Sequence, residues 1–226
     1  MKMRLPSGGY WGWHLLIGVV VFAAMTIVLV ALSDEVIDGE PLTLVDARLS
    51  AWLHANRTPA HVLIFKVITE LGAFFVVTTG SLAVCIYLLW RKQRYWFTTF
   101  LLSVAGGVVL NRLLKSAFQR TRPQLDDPIM TFTGYSFPSG HTLTATVFWG
   151  CLAALIVANT KSKAIRFSTV VVASIIIALV GFSRIYLGAH FLTDVMAAIA
   201  EGLAWLALSF TLVYSLWRHK SVNSES

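Results

Sequence analysis

Short charged segments divide this chain into apolar runs long enough to cross a bilayer. A helix needs about 20 residues to span a hydrocarbon core of about 30 Å. Leu15–Leu32 provides 18 residues without a single charge, and further mostly apolar runs fall at 73–90, 95–118, 141–159, 167–182 and 190–217. Inside lipid every backbone N–H and C=O needs a partner within the protein, so only helices or a closed barrel can cross. Runs of this length, without two-residue alternation, specify helices. The expected fold is therefore all-α: a polytopic membrane bundle with six transmembrane helices, in one domain covering 1–226. Composition agrees, with 13% charged residues against about 25% in soluble domains.

Lys2 and Arg4 precede the first run. Ala31-Leu-Ser33 resembles a signal-peptide cleavage site, but the run exceeds the usual h-region of about 7–15 residues, which favours an uncleaved anchor. Ser33–Arg57 is rich in acid, with Asp34, Glu35, Asp38, Glu40 and Asp46. Within it Leu42, Val45, Leu49 and Leu53, beside Trp52, predict a short amphipathic helix at the membrane surface. Lys66 and Glu70, four apart, are expected to pair just before Leu71-Gly72, where the chain should kink or re-enter ahead of a span beginning near Ala73. Prolines at 123, 128 and 138 keep Thr121–Pro138 out of helix. Cys85 and Cys151 lie inside apolar runs without CxxC spacing and read as packing residues, not as a disulfide or zinc site.

Loop charge orients the bundle. With the N-terminus in the cytoplasm, Lys2, Arg4, Arg91, Lys92, Arg94, Lys161, Lys163, Arg166, Arg218 and Lys220 face inward, ten of the 18 basic residues. Nearly all the acid of 33–57 falls outside, as the positive-inside rule requires. Both termini are then cytoplasmic. The net charge of +7 follows this topology instead of forming a nucleic-acid-binding face, so no nucleic acid partner is expected.

The same orientation places Lys115, Arg122, His141, Arg184 and His190 at the outer span ends, where ionisable groups are costly without a purpose. In Ser183-Arg-Ile-Tyr-Leu-Gly-Ala-His-Phe-Leu-Thr-Asp194, His190 and Asp194 are four apart and would share a helix face, about 6 Å apart along its axis. A carboxylate so placed can accept one imidazole N–H and leave the other nitrogen free to attack an electrophile. Taken alone, the pair could equally be chance neighbours at a helix end. Lys115 and Arg122 stand seven apart where a helix ends, with Pro123 turning Arg122 out of it; alone, they could simply snorkel. Pro138-Ser-Gly-His141 opens the fourth run. There Ser139 suits an N-cap, Gly140 permits close approach, and the first-turn amides make an anion site beside His141. Two forked guanidiniums, an ammonium and these amides together suit a tetrahedral phosphate.

Lys115-x6-Arg122-Pro123, Pro138-Ser-Gly-His141 and Ser183-Arg184-x5-His190-x3-Asp194 resemble, in order and without a departure, the tripartite signature of the type 2 phosphatidic acid phosphatase superfamily. The motifs occupy 115–194, and the six runs extend the resemblance to that family's membrane branch. The resemblance implies a phosphohistidine mechanism. His190 would be the nucleophile, Asp194 would fix its tautomer, and His141 would protonate the leaving oxygen and later activate water. Lys115, Arg122, Arg184 and the amides at Ser139 and Gly140 would hold the phosphate oxygens. It implies no metal and no cofactor. The expected activity is that of a lipid phosphatase at the periplasmic face of a bacterial inner membrane. Undecaprenyl diphosphate is the first expectation for substrate, with phosphatidylglycerophosphate and phosphatidic acid close behind. Transfer of phosphate to an acceptor such as lipid A would use the same chemistry. An anion channel or phosphate transporter would instead spread its cations over several depths. The residues favour no particular oligomer.

Overall fold

A computed structural model describes residues 11–38, 41–125 and 132–223. The predicted Met1–His14 segment and the acid at Glu40 lie wholly or partly outside that range, as does the middle of the 121–138 loop. The described residues form an all-α bundle. Helix α1 (Trp11–Asp38) runs past the expected apolar stretch and carries Asp34 and Glu35 in its last turns. Once a helix is nucleated each further residue adds a hydrogen bond, so the acidic sequence alone does not stop it. Leu29, Leu32 and Val36 of α1 pack with Ala197 and Phe137.

Helix α2 (Pro41–Ala55) is the expected amphipathic segment, but its inward face is not the predicted stripe. Leu42 and Val45 are exposed, whereas Asp46, Ser50 and Leu53 are buried. The face turns this way because Asp46 has a cation and a backbone amide to meet. Helix α3 (Pro59–Thr69) starts at Thr58, whose Oγ1 accepts from the His61 amide at 3.3 Å, and has Pro59 at its first position. A 3-10 turn, Glu70–Gly72, breaks the chain where the sequence placed the kink, and α4 (Phe74–Trp90) continues from it. The carbonyls freed by the break are satisfied by another helix, since Thr144 Oγ1 donates to Gly72 O at 2.5 Å and Trp149 Nε1 to Leu71 O at 3.0 Å. The tighter turn takes Glu70 out of α-helical register with Lys66, and the expected pair does not form. Lys66 instead lines an outer groove with Arg57 and Val62.

Helix α5 (Arg94–Phe118) stops at Gln119, which adopts a left-handed φ of 49°. After the connecting segment come α6 (Gly140–Asn159), α7 (Lys163–Tyr186) and α8 (Leu192–Asn223). Six stretches are long and apolar enough to cross a membrane, with α3, the 3-10 turn and α4 together forming one of them. This is a multi-pass membrane protein. In the most apolar window of α6 and of α8 half the residues are buried, against 6% in α1, which makes α6 and α8 the centre of the bundle. Phe100, Val104, Leu143, Val147, Phe148 and Leu206 form the main core, joined by the free Cys151.

Candidate active site

The site forms where the ends of α5, α6, α7 and α8 meet. Helix α7 closes in a Schellman turn: Gly188, at φ +70°, donates to Ile185 O at 2.9 Å, and Ala189 donates to Arg184 O at 3.0 Å. The His190 amide shares that Arg184 carbonyl at 3.2 Å, so the turn itself positions the histidine. His190 is therefore not on α8, as the spacing predicted, but in the turn before it. Asp194 lies in the first turn of α8, and its Oδ2 reaches back to accept the Phe191 amide at 2.9 Å, the carboxylate half of a capping box. The two side chains meet all the same, with Nδ1 of His190 3.3 Å from Oδ2 of Asp194.

The network fixes the tautomer. A guanidinium can only donate. Arg122 Nη1 lies 3.3 Å from His190 Nε2, so Nε2 is the acceptor and Nδ1 carries the proton toward Asp194. The lone pair on Nε2 thus faces a cation. Burial pushes the His190 imidazole down to about 4, against the opposing pull of Asp194, which keeps it neutral at ordinary pH.

Arg122 is further held by the carbonyls of Ala189 at 2.7 Å, Gly134 at 3.0 Å and Thr133 at 3.2 Å. Lys115, one turn before the end of α5, donates to Tyr135 O at 2.8 Å. Arg184 donates to Thr69 Oγ1 at 3.0 Å, and the Phe132 ring lies near both guanidiniums, 5.1 Å from that of Arg184 and 5.5 Å from that of Arg122. His141 lies in the first turn of α6. A Cβ on Gly140 would sit 3.8 Å from Lys115 Cε, so the start of α6 looks onto that lysine. Ser139 stands at the expected N-cap position of α6, but its side chain makes no capping bond and its amide is not left for a phosphate. Its amide donates to Asp194 O at 3.0 Å and its hydroxyl accepts from Thr142 at 2.9 Å, which leaves the amides of Gly140, His141 and Thr142 as the first-turn donors. All eight residues singled out in the sequence belong to this one cluster.

Three partners escaped the sequence reading. Arg120 Nη1 donates to Asp194 Oδ1 at 2.6 Å, and its Nη2 to Asp46 Oδ2 at 2.8 Å. Ser136 Oγ donates to Asp194 Oδ2. Asp46 had left a trace in the sequence, since it lies on the α2 face that carries Leu49 and Leu53. Below Lys115, Asn111 Nδ2 donates to the fully buried Glu201 at 2.9 Å. Among the described residues no three His, Cys, Asp or Glu side chains gather as metal ligands.

The geometry presents a neutral, oriented imidazole surrounded by cations, a second histidine nearby and a helix start aimed at the same space. That arrangement can bind a phosphate and attack it. A family model described as the PAP2 superfamily matches residues 96–218. Phosphatidylglycerophosphatase B of Bacillus subtilis is 34% identical over 116 residues, covering 49% of this chain and 55% of that protein. Lipid A 1-phosphatase of Rhizobium etli is 34% identical over 154 residues, covering 64% of this chain and 59% of that protein. The aligned segments thus span little more than half of these curated relatives. The crystal structure of a transmembrane PAP2-type phosphatidylglycerolphosphate phosphatase from Bacillus subtilis superposes with a TM-score of 0.72 at 26% identity, covering 89% of this chain and 96% of that one.

Proposed function

The chain belongs to the PAP2 superfamily, and on that premise we propose that it is a membrane lipid phosphatase working through a phosphohistidine on His190. The observation that carries the reading is the His190 lone pair, held by Asp194 on one side and facing Arg122 on the other. His190 Nε2 attacks phosphorus, the bond from phosphorus to the lipid oxygen breaks, and His141 gives that oxygen its proton. His141 then takes a proton from water, whose oxygen displaces the histidine and releases inorganic phosphate. Lys115, Arg122, Arg184 and the first-turn amides of α6 neutralise the three remaining oxygens, the dominant contribution in phosphoryl transfer.

For substrate we put a phosphomonoester lipid of the phosphatidylglycerophosphate kind ahead of undecaprenyl diphosphate, the first expectation from the sequence. Support comes from the relatives, whose names specify phosphatidylglycerophosphate and lipid A. The cell-exterior face of an inner membrane is the proposed location, with both termini in the cytoplasm.

The test is phosphate release by the purified chain in detergent from a panel of phosphatidylglycerophosphate, phosphatidic acid, lipid A and undecaprenyl diphosphate. Release is expected fastest from a phosphomonoester, and His190→Ala should lower it by at least about a thousandfold. Wild-type turnover in that variant would rule out the nucleophile. A preference for the diphosphate would restore undecaprenyl diphosphate as substrate.

A further inference from the structure

Asp194 is completely buried, and beside a neutral histidine it is a negative charge in need of compensation. Arg120 supplies it. One guanidinium nitrogen meets Asp194 Oδ1 at 2.6 Å and Thr193 Oγ1 at 2.7 Å, and the other meets Asp46 Oδ2 at 2.8 Å. Its plane rests on the Phe191 ring at 4.4 Å from the centroid. Asp46 is 1% exposed, accepts the Thr193 amide at 3.0 Å and takes the Thr193 hydroxyl as well. A cation is thus clamped between two buried carboxylates contributed by α2 and α8.

From this we infer that Arg120 and Asp46 are positioning residues for the phosphoryl-transfer step. Arg120 on Oδ1 acts with the Phe191 amide and the Ser136 hydroxyl on Oδ2 to leave Oδ2 facing His190 Nδ1 and to block rotation of the carboxylate. Asp46 in turn holds the guanidinium in the one orientation that reaches both carboxylates. Neither residue touches the phosphate. They act through Asp194 on the direction of the His190 lone pair, which makes the interfacial helix α2, far from the three motifs in sequence, part of the catalytic apparatus. Displacements of about 1 Å in such supporting groups cost up to about a hundredfold in rate.

The inference rests on His190 being the nucleophile, so His190→Ala is carried as a control. The probe is dioctanoyl phosphatidic acid, turned over by the full-length protein in detergent, with kcat, KM and thermal unfolding measured together. Asp46→Asn and Arg120→Gln are each expected to lower kcat by about ten- to a hundredfold with KM within about threefold, and the double variant to be little worse than the poorer single one. Arg120→Lys keeps the charge but cannot bridge two carboxylates, so it should recover less than about a tenth of wild-type kcat. If the neutral variants fail to fold, Arg120→Lys decides alone. Wild-type kcat in Asp46→Asn or in Arg120→Lys, or losses that multiply in the double variant, overturns the inference. Full activity in His190→Ala overturns instead the mechanism beneath it.

Discussion

In the proposed mechanism His190 combines two demands that usually conflict. A nucleophilic imidazole must be neutral, yet the phosphate it attacks calls for surrounding positive charge, and those same cations add to the burial that holds His190 near 4 instead of the ordinary 6.5. The sign of the consequence for stability is definite. A folded value below the unfolded one means that His190 contributes stability above about pH 6.5, and that this stability is lost as pH falls through about 4. The melting temperature in detergent should therefore decline across that window, and His190→Gln should flatten part of the decline; equal slopes in the two proteins would mean that His190 titrates normally. His190, His141, Asp194, Lys115, Arg122 and Arg184 could be picked out because each is a chemically distinctive side chain at a fixed offset, whereas Ser139 and Gly140 were marked only by the start of a helix. Arg120 and Asp46 could not be picked out, because their meaning lies in partners 74 residues apart. A carboxylate on the apolar face of α2 was the one trace they left.

Helix ends determine where those side chains point. The spacing of His190 and Asp194 suggested a shared helix, but the chain brings them together by ending α7 in a glycine turn and starting α8 two residues after the histidine. The i,i+4 pattern is the same in either geometry, so the sequence could indicate proximity without indicating its form. Gly188 is the residue on which this depends, because its φ of +70° is strained for any residue with a Cβ. An added Cβ would also sit 2.5 Å from Leu125 Cδ1, a flexible tip that can move aside, so the backbone carries most of the cost. Gly188→Ala is expected to destabilise the fold by about 1–2 kcal/mol and to lower kcat more than KM, since the Arg184 carbonyl that anchors the turn also anchors the His190 amide. Unfolding midpoints in detergent, measured beside the kinetics, check both halves. A drop in stability with unchanged kcat would show that the turn is only scaffolding. The break between α3 and α4 was legible from Leu71-Gly72, whereas the lost Lys66–Glu70 pair shows how one 3-10 turn undoes a helical register the sequence implied.

The bundle as a whole separates two populations of positive charge. Lys161 lies between α6 and α7 with Lys163 and Arg166 at the start of α7, and Arg91 and Lys92 lie between α4 and α5 with Arg94 at the start of α5. Lys115, Arg120 and Arg122 gather at the far end of α5, whose 25 residues measure roughly 37 Å, enough to put the two groups on opposite membrane faces. Cations of the first kind are exposed, Arg166 Nε donating to Thr160 O at 3.0 Å, and exposed cations of this sort bias a chain's orientation during insertion. Cations of the second kind are held by carbonyls and carboxylates of the site, so they exert little such pull. Hydropathy made the six spans readable because burial in lipid needs only composition and length. The order of packing around α6 and α8 was not readable, because it depends on which small and large side chains interlock. Orientation can be tested with single cysteines placed in a Cys85→Ser, Cys151→Ala background, at the exposed Gln124 and Lys161. In intact cells a membrane-impermeant maleimide should label Gln124→Cys and spare Lys161→Cys until the membrane is permeabilised. The reverse pattern would turn the molecule over and give the proposed phosphatase site a cytoplasmic lipid pool, which would exclude every substrate that exists only on the outer leaflet.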